Sequence, residues 1–332
     1  MDAMKSKWYN VESVPESHIF GIENRPGNES IPLCDTIPII DLANSDTNQT
    51  VDKIVQASQE YGFFQVINHG VGEDVIGEAV KVLEELFMQP FEEISKEANA
   101  NGWVYMGSTT STPKGAHLWR DNLKHPCHPL EESMQHWPQY PTRYREVVAR
   151  YIEGIRGLSL RVLQAICEGL GLEKGYLGGM SQVQFVTASN YPPCPDPSLT
   201  LGLLGHLDHS LITILFQNVG GLQVMKDGKW MGVDVVPNAF VVNIGTQIQI
   251  ISNGKLTSAE HRVVTNPKEG RTSIATFINP MPDCIIEPAK LLVNEANPPL
   301  YPSLSFKEFV NVSKPFGPFT HALQNVVPSK IN

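Results

Sequence analysis

The spacing of apolar residues predicts three helices in the first half of the chain. They are expected over residues 50–61, from about Asp74 as N-cap to Met88, and over Tyr144–Leu170, where one apolar stripe persists throughout. Short apolar runs at Ile37–Leu42 and Phe63–Ile67 predict buried strands on either side of the first helix. The chain therefore begins its ordered part as strand, helix, strand.

After Met180 the pattern changes to short β-rich runs separated by turn residues. Nine strands are expected: Val183–Tyr191, Gly202–His206, Ile212–Phe216, Leu222–Met225, Lys229–Val233, Ala239–Ile244, Ile248–Ile251, His261–Val264 and Thr272–Ile278. Turn sequences such as Asp227-Gly228 and Asn253-Gly254 join them. This pattern predicts an α+β protein in which a double-sheet barrel of jelly-roll type carries the helices on its outside.

No internal repeat or linker composition divides the chain. We expect an irregular N-terminal segment over 1–36, a helical region over 37–180, a jelly-roll catalytic core over 181–280, and a C-terminal extension and lid over 281–332. These parts are expected to form one functional domain.

Charge and cysteine content narrow the classes of function. The net charge of −10, without any block of Lys or Arg, disfavours binding to nucleic acid or to an anionic membrane. No apolar stretch is long enough to span a bilayer, and five cysteines at irregular spacing do not form a disulfide framework. We expect a monomeric cytoplasmic protein that acts on a small molecule.

A candidate metal site lies in the predicted barrel. His206 and Asp208 are two residues apart, which places both side chains on one face of a strand. Such a pair arises by chance in a chain with ten histidines, and ordinary hydrogen-bonded residues are the alternative. His261, in a later strand-like segment, would complete a two-histidine, one-carboxylate triad, the set that leaves iron(II) three open positions.

A candidate anion site follows. Arg271 and Ser273 share one face of a strand that continues into an apolar run. A buried Arg needs an anion, and its planar fork suits the distal carboxylate of 2-oxoglutarate. The alternative is a structural ion pair within the barrel.

At this point the chain resembles a known family, the plant-type 2-oxoglutarate- and iron(II)-dependent dioxygenases. The motifs that carry the resemblance stand in the family's order over nearly the whole chain: Ile37–Leu42, Gly62–Val71, Trp119-Arg120-Asp121, Tyr191-Pro192-Pro193-Cys194-Pro195, His206 with Asp208, Asp227-Gly228-Lys229-Trp230, Ser252-Asn253-Gly254 and His261–Asn266. Further segments, mostly in the helical scaffold, look like those of an alkaloid hydroxylase: Trp137-Pro138, Tyr144–Val148, Ile166–Leu172 and Ile285–Lys290.

The resemblance implies both fold and chemistry. It implies a distorted jelly roll, or double-stranded β-helix, and the cofactors iron(II), 2-oxoglutarate and dioxygen, with ascorbate as reductant. By the same resemblance Tyr191 hydrogen-bonds the 2-oxoglutarate carboxylate, and the products include succinate and carbon dioxide. Hydroxylation is expected because Asp208 is retained; desaturation, epoxidation or ring closure is the alternative, and a ligand-binding relative without turnover is a further one.

Three residues depart from the family's usual pattern. Ser189 stands where Asn is usual and Thr246 where Asp is usual, and His209 is an unusual neighbour of Asp208. All three are candidates for a layer that supports the metal and cosubstrate ligands. For His209, a partly exposed loop histidine is the alternative.

The substrate leaves a weaker signal. The segment 107–117, an expected pocket wall, contains Lys114 and no acidic residue, which disfavours a protonated amine as substrate. Four aromatic residues could line an apolar pocket or belong to the core: Trp103, Tyr105, Phe185 and Phe277. We predict a compact, largely apolar ring compound, an alkaloid or a phenolic.

Overall fold

Two β-sheets form the framework of the protein in a computed structural model that describes residues 11–27, 31–33, 37–107 and 115–313. The strands are β1 Ile39–Asp41, β2 Phe63–Ile67, β3 Val104–Met106, β4 Asp121–Pro126, β5 Val183–Tyr191, β6 Leu203–His206, β7 Ile212–Gln217, β8 Leu222–Lys226, β9 Lys229–Gly232, β10 Phe240–Ile244, β11 His261–Val263, β12 Arg271–Asn279, β13 Ile285–Ile286 and β14 Leu304–Ser305. The helices are α1 Thr47–Glu60, α2 Glu73–Phe87, α3 Phe91–Asn101, α4 Leu130–Met134, α5 Tyr144–Leu170, α6 Tyr176–Met180, α7 Thr246–Ile251 and α8 Phe306–Ser313. Short 3₁₀ turns occupy Glu16–His18, Ile22–Asn24 and Lys290–Leu292.

The large sheet has eight strands in the order β1-β2-β10-β7-β12-β5-β4-β3, and the small sheet has four in the order β6-β11-β8-β9. Buried residues of both sheets, among them Phe63, Leu215, Leu222 and Val263, pack together in one cluster. All pairings except β1 with β2 are antiparallel within these sheets. The two facing sheets and the helices outside them confirm the predicted α+β jelly roll.

Helix α5, the longest helix among the described residues, packs outside the large sheet. It contacts α1, α2 and β7, and its inward face is buried, from Tyr144 through Ile155 to Ile166. It ends at Gly171, whose positive φ of 70° makes the left-handed C-cap that favours glycine. The predicted bounds of this helix are confirmed, because a long apolar stripe with a terminal Gly is an unambiguous pattern.

The predicted strands are confirmed with one exception. The predicted strand Ile248–Ile251 is wrong, because this run belongs to the buried helix α7. A short apolar run fits a buried helix as well as a strand. The chain turns into α7 at Gly245, where a Cβ would lie 1.8 Å from the Ser210 carbonyl oxygen, so this turn requires glycine.

Two smaller predictions also need correction. Gly72, and not Asp74, is the N-cap of α2, and Asp74 lies in its first turn, where its charge favours the helix dipole. Asn253-Gly254 follows α7 instead of joining two strands, although both residues do have positive φ.

The sequence patterns did not predict β3 and β4, which extend the large sheet beyond β5. Together with β1 and β2, they bring four strands from residues 37–180 into the same sheet as the jelly-roll strands. This continuity supports our proposal of one functional domain.

Among the residues described, no helix has both the length and the apolar character needed to cross a bilayer. The predictions for residues 1–10, Cys34, Lys114 and the end of the C-terminal extension fall outside the described ranges.

Candidate metal and cosubstrate site

The three predicted metal ligands meet between the two sheets. His206 ends β6 and pairs directly with His261 of β11, and Asp208 follows two residues after β6. The Asp208 Oδ1 atom lies 3.5 Å from His206 Nε2 and 3.8 Å from His261 Nε2. One ligand atom from each residue therefore falls within 4.8 Å of the others, which is compatible with a shared metal ion.

Backbone carbonyls orient both histidines. His206 Nδ1 lies 2.8 Å from the Leu204 carbonyl oxygen, and His261 Nδ1 lies 3.1 Å from that of Ala259. A carbonyl can only accept, so each Nδ1 donates and each Nε2 keeps the lone pair that a metal requires. Burial, followed by the charge of His206, lowers the pKa of His261 to about 4, which keeps its ring neutral at physiological pH.

Asp208 is held through its other oxygen. Its Oδ2 atom accepts a hydrogen bond of 2.6 Å from Thr213 Oγ1 and another from Asn243 Nδ2, both on the large sheet. Burial opposes the charge of this carboxylate, but His261, His206 and Thr213 outweigh burial and hold its pKa well below the usual range. Oδ1 is thus directed at the histidines by a fixed, ionised carboxylate.

Arg271 presents a buried guanidinium with spare donor capacity. Its Nε donates to the Val219 carbonyl oxygen at 3.1 Å, and its Nη2 donates to Gln217 Oε1 at 2.9 Å. The buried Nη1 and the nearby buried Gln217 Nε2 have no hydrogen-bond partner among the described residues. Unpaired buried donors are costly, and an anion such as a carboxylate would satisfy them.

Tyr191 lies between two guanidinium groups. It pairs with Arg271 in the sheet, and the Arg271 guanidinium carbon lies 4.8 Å from its ring centroid. Burial acts to raise the pKa of the phenol, but the charges of Arg120 and Arg271 and a hydrogen bond with Ser189 outweigh burial and bring the pKa to about 8. The phenol group is therefore an acidic, well-oriented hydrogen-bond donor beside Arg271.

Ser273 and Ser189 occupy the next row of the same face. They are directly opposite each other in the pairing of β12 with β5, and both line the cavity that contains the triad. Asn122 of β4 donates to Ser189 Oγ at 2.8 Å. An asparagine amide therefore lies beside the position where the family's usual Asn is replaced by serine.

The triad opens into one cavity of about 570 Å³ that runs between the sheets. Besides the triad and the residues around Arg271, this cavity is lined by strands β3, β4, β5 and β12 and by helix α8. Residues from these elements that line it include Met106, Lys124, Phe185, Phe277, Phe306 and Val310.

Two of the four predicted pocket aromatics line this cavity. Phe185 and Phe277 are opposite each other in the sheet and stack at 4.8 Å between ring centroids. Trp103 and Tyr105 are not among the described lining residues and take the alternative place in the core: Trp103 is buried in the main core, and Tyr105 packs between Phe87 and Phe91. Strand alternation turns Met106 toward the cavity and its neighbour Tyr105 away.

The remaining candidates take different places. His209 is a partly exposed residue of the loop after β6; it also lines the cavity and meets Phe309 of α8 edge to face at 5.3 Å between ring centroids. Thr246 is fully buried, and its backbone N–H donates to the Asp208 carbonyl oxygen at 2.8 Å. It thus fixes the backbone of the predicted metal ligand Asp208 rather than its carboxylate.

Sequence reasoning missed several residues of this site. Thr213 and Asn243, which hold Asp208, stand in apolar strands as isolated polar residues, and this polar interruption was the available signal. Arg120, Asn122 and Lys124 were missed as cavity residues because β4 was not predicted.

A two-histidine, one-carboxylate set inside a jelly roll is the type of site that binds iron(II) and leaves adjacent positions open. Comparisons with known proteins agree. Residues 180–280 match the 2OG-Fe(II) oxygenase superfamily, and residues 37–143 match the N-terminal region of the non-haem dioxygenases described for morphine synthesis.

Individual relatives cover almost the whole chain. Hyoscyamine 6-dioxygenase of Hyoscyamus niger is 42% identical over 94% of this chain and 94% of its own. Flavanone 3-dioxygenase 2 of Oryza sativa subsp. japonica is 36% identical over 90% of this chain and 89% of its own. The crystal structure of JOX2 in complex with 2OG, Fe, and JA has a TM-score of 0.85 at 34% identity, covering 96% of this chain and 95% of that one.

The chain therefore belongs to the 2-oxoglutarate- and iron(II)-dependent dioxygenases. It is an oxidoreductase that uses iron(II) and 2-oxoglutarate and acts on a small molecule. The predicted family, fold class, enzyme class and these two cofactors are confirmed.

Proposed function

We propose that this enzyme hydroxylates a compact, largely apolar ring compound, an alkaloid or a phenolic of plant specialised metabolism. The observation that carries the proposal is the stacked Phe185–Phe277 pair in the cavity that contains the triad. Aromatic faces of this kind bind flat or ring-shaped apolar molecules.

In this proposal His206, Asp208 and His261 hold iron(II), and Arg271, Ser273 and Tyr191 hold the distal carboxylate of 2-oxoglutarate. The support is geometric: one ligand atom from each of the three triad residues converges on a common point, and the buried donors Arg271 Nη1 and Gln217 Nε2, which have no hydrogen-bond partner among the described residues, lie close to the same cavity. When bound, the two cofactors supply the activation of dioxygen, with succinate and carbon dioxide as products.

The residues of the chain then do three things. Thr213 and Asn243 keep Asp208 ionised and oriented, Arg271 fixes one end of the cosubstrate, and the two sheets exclude bulk water from the cavity. The protein decides which C–H bond of the substrate faces the metal, whereas the cofactors carry the oxidation itself.

Hyoscyamine is one candidate substrate, and the charge of the cavity argues against it. Among the described residues that line the cavity, Asp208 is the only one with a carboxylate, and it belongs to the triad. A protonated amine would be desolvated there without a counter-charge of its own. A neutral or anionic ring compound fits this lining better.

Desaturation, epoxidation or ring closure of the same kind of substrate is the second candidate, because the same metal centre would serve all of them. A ligand-binding relative without turnover is less consistent with the intact triad. The test is a panel of hyoscyamine, salicylate and flavanones, with succinate and product measured by mass spectrometry. A product heavier by one oxygen, formed in proportion to succinate, is expected; loss of two hydrogens would favour desaturation, and no succinate with any compound would contradict the proposal.

A further inference from the structure

Lys124 places a charged side chain in the part of the cavity proposed for the substrate. The proposed reaction has no role for this charge. Lys124 lies on β4, is mostly buried, and lines the same cavity as the triad. Its Nζ lies 3.9 Å from the centroid of the Phe185 ring. Among the described residues, this cation–π contact is its one recorded interaction.

The strand register separates Lys124 from the cosubstrate seat. Paired residues on neighbouring strands form rows across the sheet, and every second row faces the cavity. Among the rows that face it, the row of Arg271 and Tyr191 is followed by that of Ser273 and Ser189. The next one contains Thr187, which pairs with Lys124. Two cavity-facing rows correspond to four residues along a strand, about 14 Å at roughly 3.4 Å per residue. An anion at Lys124 would therefore be distinct from the carboxylate at Arg271.

Among the described residues that line the cavity, none offers Lys124 an anion to balance its charge. Bound iron(II) and the dianionic cosubstrate cancel each other, and Asp208 cancels Arg271. Arg120 lies beside Tyr191, at the cosubstrate end.

Burial of most of the Lys124 side chain lowers the pKa of its ammonium group. Methionine, of similar length and without charge, would fit this apolar place more cheaply. A stability cost at a binding cavity is expected where the charge serves a ligand.

We propose that Lys124 is a specificity-determining residue that binds an anionic group, a carboxylate or phenolate, on a ring substrate whose ring packs against Phe185 and Phe277. This inference rests on the proposed function, because it assumes that the cavity holds the substrate. It narrows the predicted substrate class from apolar ring compounds to aromatic or alicyclic acids.

The test measures binding without turnover. The enzyme, loaded anaerobically with iron(II) and 2-oxoglutarate, is titrated calorimetrically with benzoate, cinnamate and 2-naphthoate and with the three corresponding primary amides. Saturating 2-oxoglutarate keeps the acids out of the Arg271 seat. The variants are Lys124→Met, Lys124→Arg and, as a matched loss of one surface charge, Lys53→Met on the exposed side of α1.

We expect at least one acid to bind tenfold or more tightly than its amide to the wild type and to Lys53→Met. The preference should fall below threefold in Lys124→Met and persist in Lys124→Arg. Lys124→Met should also melt at the same temperature as the wild type or a higher one, which separates lost binding from lost folding. Equal affinity for acids and amides in the wild type, or a preference that survives in Lys124→Met, would overturn the proposal.

The succinate assay keeps the two proposals apart. An acid preference that depends on Lys124, found in an enzyme that hydroxylates none of its ligands, would leave the charge assignment standing and remove the hydroxylase assignment. Hydroxylation of neutral ring compounds with no acid preference would do the reverse.

Discussion

At the scale of single residues, the two oxygens of Asp208 have separate tasks. Oδ2 accepts hydrogen bonds from Thr213 and Asn243, and Oδ1 faces the two histidines. Outer partners of this kind commonly change metal affinity by about 10- to 100-fold when they are removed. The carboxylate therefore depends on two residues of the opposite sheet.

We predict that Thr213→Val weakens iron(II) binding by about tenfold while the protein stays folded, because the side chain keeps its shape and loses its donor. Equilibrium dialysis against iron(II) without oxygen measures this. Thr276→Val is a suitable control, since its hydroxyl is buried, has no hydrogen-bond partner among the described residues and is not part of the cavity lining described above. Unchanged iron affinity in Thr213→Val would show that Asp208 does not need this donor.

Arg271→Lys should not be a conservative change, because an ammonium offers a point charge where two nitrogens of a fork are required. We expect the KM for 2-oxoglutarate to rise by tenfold or more, equivalent to about 1.4 kcal/mol or greater. Steady-state kinetics at varied 2-oxoglutarate concentrations measure this KM. A KM that stays at the wild-type value would place the cosubstrate carboxylate elsewhere.

Tyr191 predicts a pH dependence. Its pKa of about 8 lies below the ordinary tyrosine value, so the phenol loses its proton as pH rises through about 8. The phenolate can no longer donate to a carboxylate and repels it. The KM for 2-oxoglutarate should therefore rise above pH 8 in the wild type and stay flatter in Tyr191→Phe; parallel pH profiles for the two proteins would refute the role of this proton.

At the scale of secondary structure, α7 illustrates where sequence patterns fail. Its run of isoleucines fits a strand, and only the contact of Gly245 with Ser210 shows that the chain must turn there. Such a contact joins residues that are distant in sequence, so no local pattern contains it. Strands β3 and β4 were missed for a related reason: β3 has only three residues, β4 is rich in polar residues, and β4 pairs with β5 more than 50 residues further along the chain.

Gly245→Ala should destabilise the protein by about 3 kcal/mol or more, because its Cβ would overlap the Ser210 carbonyl oxygen and neither backbone can easily move. Gly77→Ala in α2 is the control: a Cβ there meets nothing within 4 Å, and alanine should stabilise the helix by about 0.5–1 kcal/mol. Urea denaturation of both variants tests the pair. If Gly245→Ala and Gly77→Ala unfold at the same urea concentration, the turn into α7 tolerates a side chain.

At the scale of the whole molecule, the sequence was sufficient to find residue pairs that lie two apart, although only Arg271 and Ser273 share a strand and Asp208 lies beyond the end of β6. The members of each of two predicted pairs, His206 with Asp208 and Arg271 with Ser273, lie two positions apart in the sequence. The structure brings both pairs to one cavity. Thr213, Asn243 and Lys124 could not be assigned from sequence, because their roles depend on which strands become neighbours. The substrate part of the cavity is built mainly by such long-range pairings.

We expect iron(II) and 2-oxoglutarate to bind together at the triad, and one anaerobic titration tests this directly. Iron(II) is added to the protein with 2-oxoglutarate, and the visible charge-transfer absorption of the iron–cosubstrate chelate is followed. We expect the absorption to saturate at one iron per chain in the wild type and to be lost in a folded Asp208→Ala variant. An undiminished absorption in Asp208→Ala, with unchanged iron affinity, would contradict the assignment of the metal centre to His206, Asp208 and His261.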